Sequence, residues 1–159
     1  MSPKKQAEAR AATASGRTSR STSAQGSSES PFRSLHHLIR AAAQADRGIS
    51  KTQASRLFER VASGSSLPVG RLRAEIIPDS SWKRSGKTLR PSASQTTARL
   101  AHILAVAESV WGNEVDAAEW LNNPHPELRG ATPYSLLKTE AGGRTVEALL
   151  GALEYGFPV

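Results

Sequence analysis

The sequence has no cysteine, which removes disulfides and thiolate metal ligands and suits a reducing cytosol. No apolar run approaches the roughly 20 residues that cross a bilayer. The N-terminus lacks the apolar core of a secretion signal. A cytoplasmic chain with no membrane partner is expected. Histidine is scarce: His36, His37, His102 and His125 do not form a His-x-x-x-His pair on one helix. Gly142-Gly143 lacks the lysine and the strand of a phosphate-binding loop. The carboxylates of the C-terminal half are spread around helices as on a solvated face. No metal, cofactor or catalytic residue is expected, and the chain is read as a non-enzyme.

Acidic residues are scarce in the first 95 positions. Residues 1–30 carry Lys4, Lys5, Arg10, Arg17 and Arg20 against Glu8 and Glu29, a net +3. Residues 31–95 carry twelve basic side chains against Asp46, Glu59, Glu75 and Asp79, a net +8. From residue 96 the balance reverses to −4, because four basic residues face eight acidic ones. A basic part joined to an acidic part implies two surfaces with two partners, the basic one suited to a polyanion. An uneven surface that merely solubilises the chain is the bland alternative.

The organisation follows the same divisions. Residues 1–30 are rich in Ser, Ala and Thr with almost nothing to bury, so a disordered basic tail is expected. Beyond Pro31 the apolar spacing is helical. Phe32, Leu35, Leu38 and Ile39 share a face. Ser50 and Gln53 form a capping box ahead of Ala54, Leu57, Phe58 and Val61, and Gly64 closes that helix. Ser66 is expected to cap the next helix, with Pro68 in its first turn and Val69, Leu72 and Ile76 buried. Pro78 breaks the chain, and Asp79 is expected to cap a short helix. Ser92 and Gln95 read as a further capping box before a long helix over 93–112. Its apolar face holds Leu100, Ile103, Leu104, Ala107, Val110 and Trp111. Asn113 caps a helix with Val115, Ala118, Trp120 and Leu121. Thr132-Pro133 opens a short helix, and Thr139 opens the last one, stopped by Gly156. No segment alternates with period two, so the fold is expected to be all-α. The boundaries are drawn at 1–30, 31–95 and 96–159.

Helix 67–76, the break at 77–79 and helix 80–85 match a helix-turn-helix, whose second helix enters the major groove of DNA. Ser80, Ser81, Lys83 and Arg84 are candidates for bases or phosphates. Arg71, Arg73, Lys87 and Arg90 are candidates for the backbone. Trp82 is assigned to the core, pinning the short helix.

Several motifs then occur in order. Arg99-Leu100-Ala101 leads to Val106-Ala107-Glu108-Ser109-Val110-Trp111-Gly112. Ala117-Ala118-Glu119-Trp120-Leu121 leads through Asn122-Asn123-Pro124 to Leu128. Thr132-Pro133-Tyr134-Ser135-Leu136-Leu137 is followed by Thr139-Glu140-Ala141-Gly142. Val146-Glu147-Ala148-Leu149-Leu150 is followed by Glu154-Tyr155-Gly156. Together they resemble the toxin-binding domain of the Xre/MbcA/ParS antitoxin family. Leu67-Pro68-Val69 and the stretch from Ile77 to Arg84 resemble that family's Xre-like helix-turn-helix. Ser81 stands where the family has threonine, and the basic Leu89-Arg90-Pro91-Ser92-Ala93-Ser94 replaces an acidic linker.

The resemblance implies a type II toxin–antitoxin system whose usual toxin is a RES-domain, NAD-degrading protein. It implies that the C-terminal domain blocks the toxin's active site and that the complex represses its own operon. Helix-turn-helix proteins commonly bind as two-fold dimers, so a homodimer is expected, with the long helix 93–112 and the basic domain as interface. Glu154, Tyr155, Gly156, Phe157, Pro158 and Val159 are the expected plug, bordered by Pro133, Tyr134 and Arg144. The rings of Tyr155 and Phe157 have two destinations, a toxin pocket or the domain's own core, with Tyr155 closer to the core. A stand-alone regulator whose C-terminal domain only dimerises is the alternative.

Replacing Lys83 and Arg84 by alanine is expected to weaken DNA binding and to lower the slope of log affinity against log salt by about 0.9 per lost phosphate contact. An unchanged gel shift across a salt series places the DNA surface elsewhere.

Overall fold

The computed structural model describes residues 37, 39, 40 and 47–156. The basic tail 1–30, Phe32, Leu35, Leu38 and Phe157–Val159 lie outside the described residues. Ile39 is fully buried, as its apolar spacing requires. The described chain is all-α: α1 (Lys51–Ser63), α2 (Val69–Ile76), α3 (Asp79–Arg84), α4 (Pro91–Trp111), α5 (Glu114–Asn122), α6 (Pro133–Leu136) and α7 (Glu140–Tyr155), with a 3-10 turn at Pro126–Leu128. Extended pairing among the described residues is limited to an isolated antiparallel bridge between Ser50 and Thr88.

Local chemistry explains most helix ends. The hydroxyl of Ser50 accepts from the Gln53 amide at 3.2 Å, and the Gln53 side chain accepts from the Ser50 amide at 3.0 Å. This reciprocal pair satisfies amide donors that a helix start leaves open. Asn113, Thr132 and Thr139 cap α5, α6 and α7 in the same way, accepting from Asp116, Ser135 and Gly142.

Three starts differ from the sequence expectation. Ser66 does not cap α2; Pro68 stands at the cap position and its carbonyl accepts from Arg71 and Leu72. Asp79 is the first residue of α3 rather than its cap, and its carboxylate pairs with Arg73. α4 begins at Pro91 with Arg90 as cap and no side-chain cap bond, so Ser92 and Gln95 lie inside the helix. Proline at the first helical position presets φ and has no amide to leave unsatisfied, which lets the helix start two residues earlier.

One continuous core joins the two charge halves. Ile49, Leu57, Phe58, Leu72, Leu89, Leu100, Leu104, Leu121, Tyr134 and Leu150 belong to the same buried cluster. The boundary expected at 95/96 falls inside α4, whose buried face runs from Ala93 to Ala107. The halves therefore differ in surface charge, not in having separate cores. α4 packs on both α5 and α7, and α1 packs on α2 and α5. Only Pro91, Ser92, Gln95 and Ser109 of α4 are fully exposed, so the long helix offers a second copy little surface. Val115, grouped with the apolar residues of α5, is 58% exposed.

The α1–α5 contact is close because of Gly64. A Cβ there would lie 2.2 Å from the Glu119 amide nitrogen and 2.3 Å from the Ala118 carbonyl carbon. Beside it, the Asn122 side-chain amide donates to the Val61 carbonyl at 2.9 Å and to Ala118 at 2.7 Å. Gly64→Ala must push two backbones apart and is expected to destabilise the protein by about 2 kcal/mol or more. Urea denaturation is the check; a change within about 0.5 kcal/mol, as at ordinary surface sites, contradicts this packing.

Candidate functional sites on opposite charge halves

α2 and α3 are joined by Ile77-Pro78 alone, which turns the chain tightly. Ile77 is buried and adopts an extended conformation, as expected before proline. Six residues make a short helix, so α3 needs an anchor. Trp82 supplies it. The indole packs edge-on against Phe58, with ring centroids 6.2 Å apart and planes at 77°. The Arg73 guanidinium lies 4.7 Å from the ring centroid and the Lys51 ammonium 5.4 Å from it. Arg73 also holds Asp79, so it is committed to fixing α3 and is not a free backbone contact.

With Trp82 turned inward, Ser80, Lys83 and Arg84 are exposed and Ser81 is partly covered. Ser85 locks the end of the helix, its hydroxyl donating to the Ser81 carbonyl at 2.9 Å. Lys87, Arg90 and Arg71 are exposed as well. The structure thus brings Ser80, Lys83, Arg84, Lys87 and Arg90 onto the exposed surface of one short stretch. Arg47 belongs to the same basic half through the Ile49–Leu89 backbone bond of 2.8 Å.

The acidic half is built around α7. Val146, Leu149 and Leu150 face inward, with Leu153 partly covered. Arg99 of α4 fixes the entry to this helix: its guanidinium donates to the Leu137 carbonyl at 2.7 Å. Its stem lies so close to Gly143 that a Cβ there would sit 2.4 Å from Arg99 Cδ. His102 and Glu147 meet at 2.8 Å and join α4 to α7 on the surface. At the base of α5, burial pushes the Glu114 carboxyl above its ordinary range; Arg60, 3.3 Å away, opposes this and Glu108 adds to it.

The expected toxin-facing residues divide into two groups. Pro133 and Tyr134 are buried, and Tyr134 is only 1% exposed. Its hydroxyl donates to the Leu72 carbonyl of α2 at 2.7 Å. Burial pushes the phenol well above the ordinary tyrosine range, with Glu75 adding to that and Arg73 opposing it. These two residues are scaffold, correcting their assignment to a docking border. Arg144, Glu154, Tyr155 and Gly156 are exposed. Tyr155 is 74% exposed, so it does not fold onto the core. Arg144 pairs with Glu140 at 3.2 Å, one turn away and well solvated, a contact worth little by itself.

A helix, tight break and pinned short helix thus share a core with an acidic helical unit, and the two carry surfaces of opposite charge. The family model described as the antitoxin Xre/MbcA/ParS C-terminal toxin-binding domain matches residues 106–156. Antitoxin Xre of Pseudomonas putida is 34% identical over 88 residues, 54% of this chain and 55% of that protein. Antitoxin Xre of Yersinia enterocolitica is 34% identical over 90 residues, 54% of this chain and 60% of its own. Antitoxin Xre of Photorhabdus laumondii is 36% identical over 64 residues, 40% and 43% of the two chains. The chain spans about half the length of the curated relatives it matches. Over these segments the chain is similar to antitoxins of the Xre type.

Tyr134→Phe removes a buried hydrogen bond between the two halves and is expected to cost about 1 kcal/mol of folding free energy. Chemical denaturation measures it, and wild-type stability in the variant contradicts the role assigned to the hydroxyl.

Proposed function

We propose that this protein is the antitoxin of a type II toxin–antitoxin pair. Its acidic C-terminal half binds a cognate toxin and occludes the active site, and its basic half binds operator DNA and represses the operon. The observation that carries the reading is the match of residues 106–156 to a toxin-binding domain, with Tyr155 held 74% exposed at the free end of α7. An exposed aromatic ring on a helix end is the kind of anchor that dominates interface energy. Acidic residues along α7, Glu140, Glu147 and Glu154, recur every seven positions and are exposed, so they lie on one side of the helix. They steer a basic toxin cleft towards the tip. The partner is a RES-domain, NAD-degrading toxin, and Phe157, Pro158 and Val159 extend the plug.

Ser80, Ser81, Lys83, Arg84, Lys87 and Arg90 form the DNA-facing set in this reading. Helix-turn-helix proteins commonly bind as two-fold dimers on palindromic sites, and the dimer here forms through the basic half, because α4 is buried in its own core. The pair works in the cytoplasm. Among the described residues no helix is long and apolar enough to cross a membrane.

Co-expression with the product of the neighbouring gene tests the proposal. The neighbour is expected to be lethal alone and harmless with this protein. Tyr155→Ala combined with deletion of Phe157–Val159 is expected to weaken toxin affinity at least thirtyfold, about 2 kcal/mol for one lost anchor, with duplex binding intact. Lethality that persists with the intact protein overturns the antitoxin reading, and full neutralisation by the truncated protein overturns the plug.

A further inference from the structure

The cleft between the 47–49 segment and the start of α4 has no part in the surfaces described so far. It encloses about 290 Å³ and is lined by residues that include Arg47, Thr88, Pro91 and Gln95. Its floor is rigid. The Ser94 hydroxyl accepts from the Ile49 amide and donates to the Leu89 carbonyl, both at 3.2 Å. The Leu89 amide donates to Ile49 at 2.8 Å, and the Lys51 amide donates to Lys87 at 2.9 Å.

Gly48 makes this crossing feasible. Its φ is +67°, and a Cβ would lie 2.6 Å from Thr88 Cγ2 and 3.3 Å from the Leu89 carbonyl oxygen. Any other residue there is strained as well as crowded. Among the described residues the lining therefore offers a guanidinium, a hydroxyl and an amide, and no carboxylate. Exposed Lys87 and Arg90 adjoin it in the chain. The cleft also sits beside α3: Lys51, bonded to Lys87, places its ammonium 5.4 Å from the Trp82 ring.

We propose that this cleft is a phosphodiester-binding site that takes the DNA backbone beside the groove occupied by α3. The inference rests on the reading of the basic half as DNA-binding and extends its footprint away from the bases. The Arg47 fork pairs with the phosphate oxygens, as guanidinium groups do in bidentate phosphate contacts. Thr88 and Gln95 donate to the same group. Contacts of this kind set affinity and register without reading sequence.

Anisotropy titrations of a labelled mixed-sequence duplex, over a series of salt concentrations, test the site. The proteins compared are wild type, Arg47→Gln, Thr88→Val, the Lys83→Ala/Arg84→Ala double variant and Arg129→Asn, each first checked for a wild-type melting profile. Arg129 is exposed in the acidic half, so its loss removes one charge without touching the cleft. Arg47→Gln is expected to lose roughly tenfold in affinity, the worth of one charged hydrogen bond. Its salt slope is expected to fall by about 0.9. Thr88→Val keeps the packing against Gly48 and is expected to lose a smaller factor, which keeps the test decisive should Arg47→Gln unfold. Arg129→Asn is expected to bind as wild type. If both cleft variants bind normally while the double variant does not, the cleft is overturned and the DNA reading stands. An equal loss in Arg129→Asn reduces the effect to net charge and also overturns the cleft. If wild type binds no duplex, the DNA reading and the cleft fall together.

Discussion

The apolar face of α4 is the constraint on which the rest depends. Leu100, Ile103, Leu104 and Ala107 are at most 1% exposed, and each buried aliphatic side chain of the larger kind stabilises the fold by about 1.5–3 kcal/mol. α5 covers this helix on one side and α7 on another. The basic half does not close a core apart from it: Ile49, Leu57, Phe58, Leu72 and Leu89 belong to the same buried cluster as Leu100 and Leu104. Tyr134 under α2, Asn122 against α1 and Gly64 against α5 then set the halves at one distance and angle. Two oppositely charged surfaces thus stand on a single packed body.

Much of this architecture was legible because its signals are local. The Ser50–Gln53 capping box, the caps at Asn113, Thr132 and Thr139, and the stop at Gly156 each need only neighbouring residues. Helical spacing likewise assigns Leu57, Phe58, Leu100 and Leu104 to the interior. Trp82 could be assigned to the inner side because a six-residue helix needs an apolar anchor, and it packs, partly covered, against the core. The expectations that differ involve a competing partner from elsewhere in the chain. Asp79 has the side chain of a cap but is taken by Arg73. Ser92 has the spacing of a cap, yet Pro91 starts the helix first.

Site residues follow the same division. Exposure of Lys83, Arg84 and Glu154 follows from amphipathic spacing and helix ends, whereas Tyr155, read as closer to the core, is 74% exposed. Burial of Tyr134 does not follow from spacing, since its acceptor is the Leu72 carbonyl 62 residues away. A motif that matches a binding domain contains scaffold positions and contact positions together, and only three-dimensional packing separates them. Arg99 illustrates the point: it opens the first motif of the resemblance, yet it acts as a strut between α4 and the start of α7.

The central claim is that the two charged faces belong to one cooperative unit organised by α4. Native-state hydrogen exchange at rising urea concentration tests it most directly, because it reads opening free energies helix by helix. The slowest amides of α1 and of α7 are expected to exchange through the same global opening, with the same free energy and the same urea dependence. Slow amides of α7 that open at a clearly lower free energy, while α1 stays protected, would contradict it.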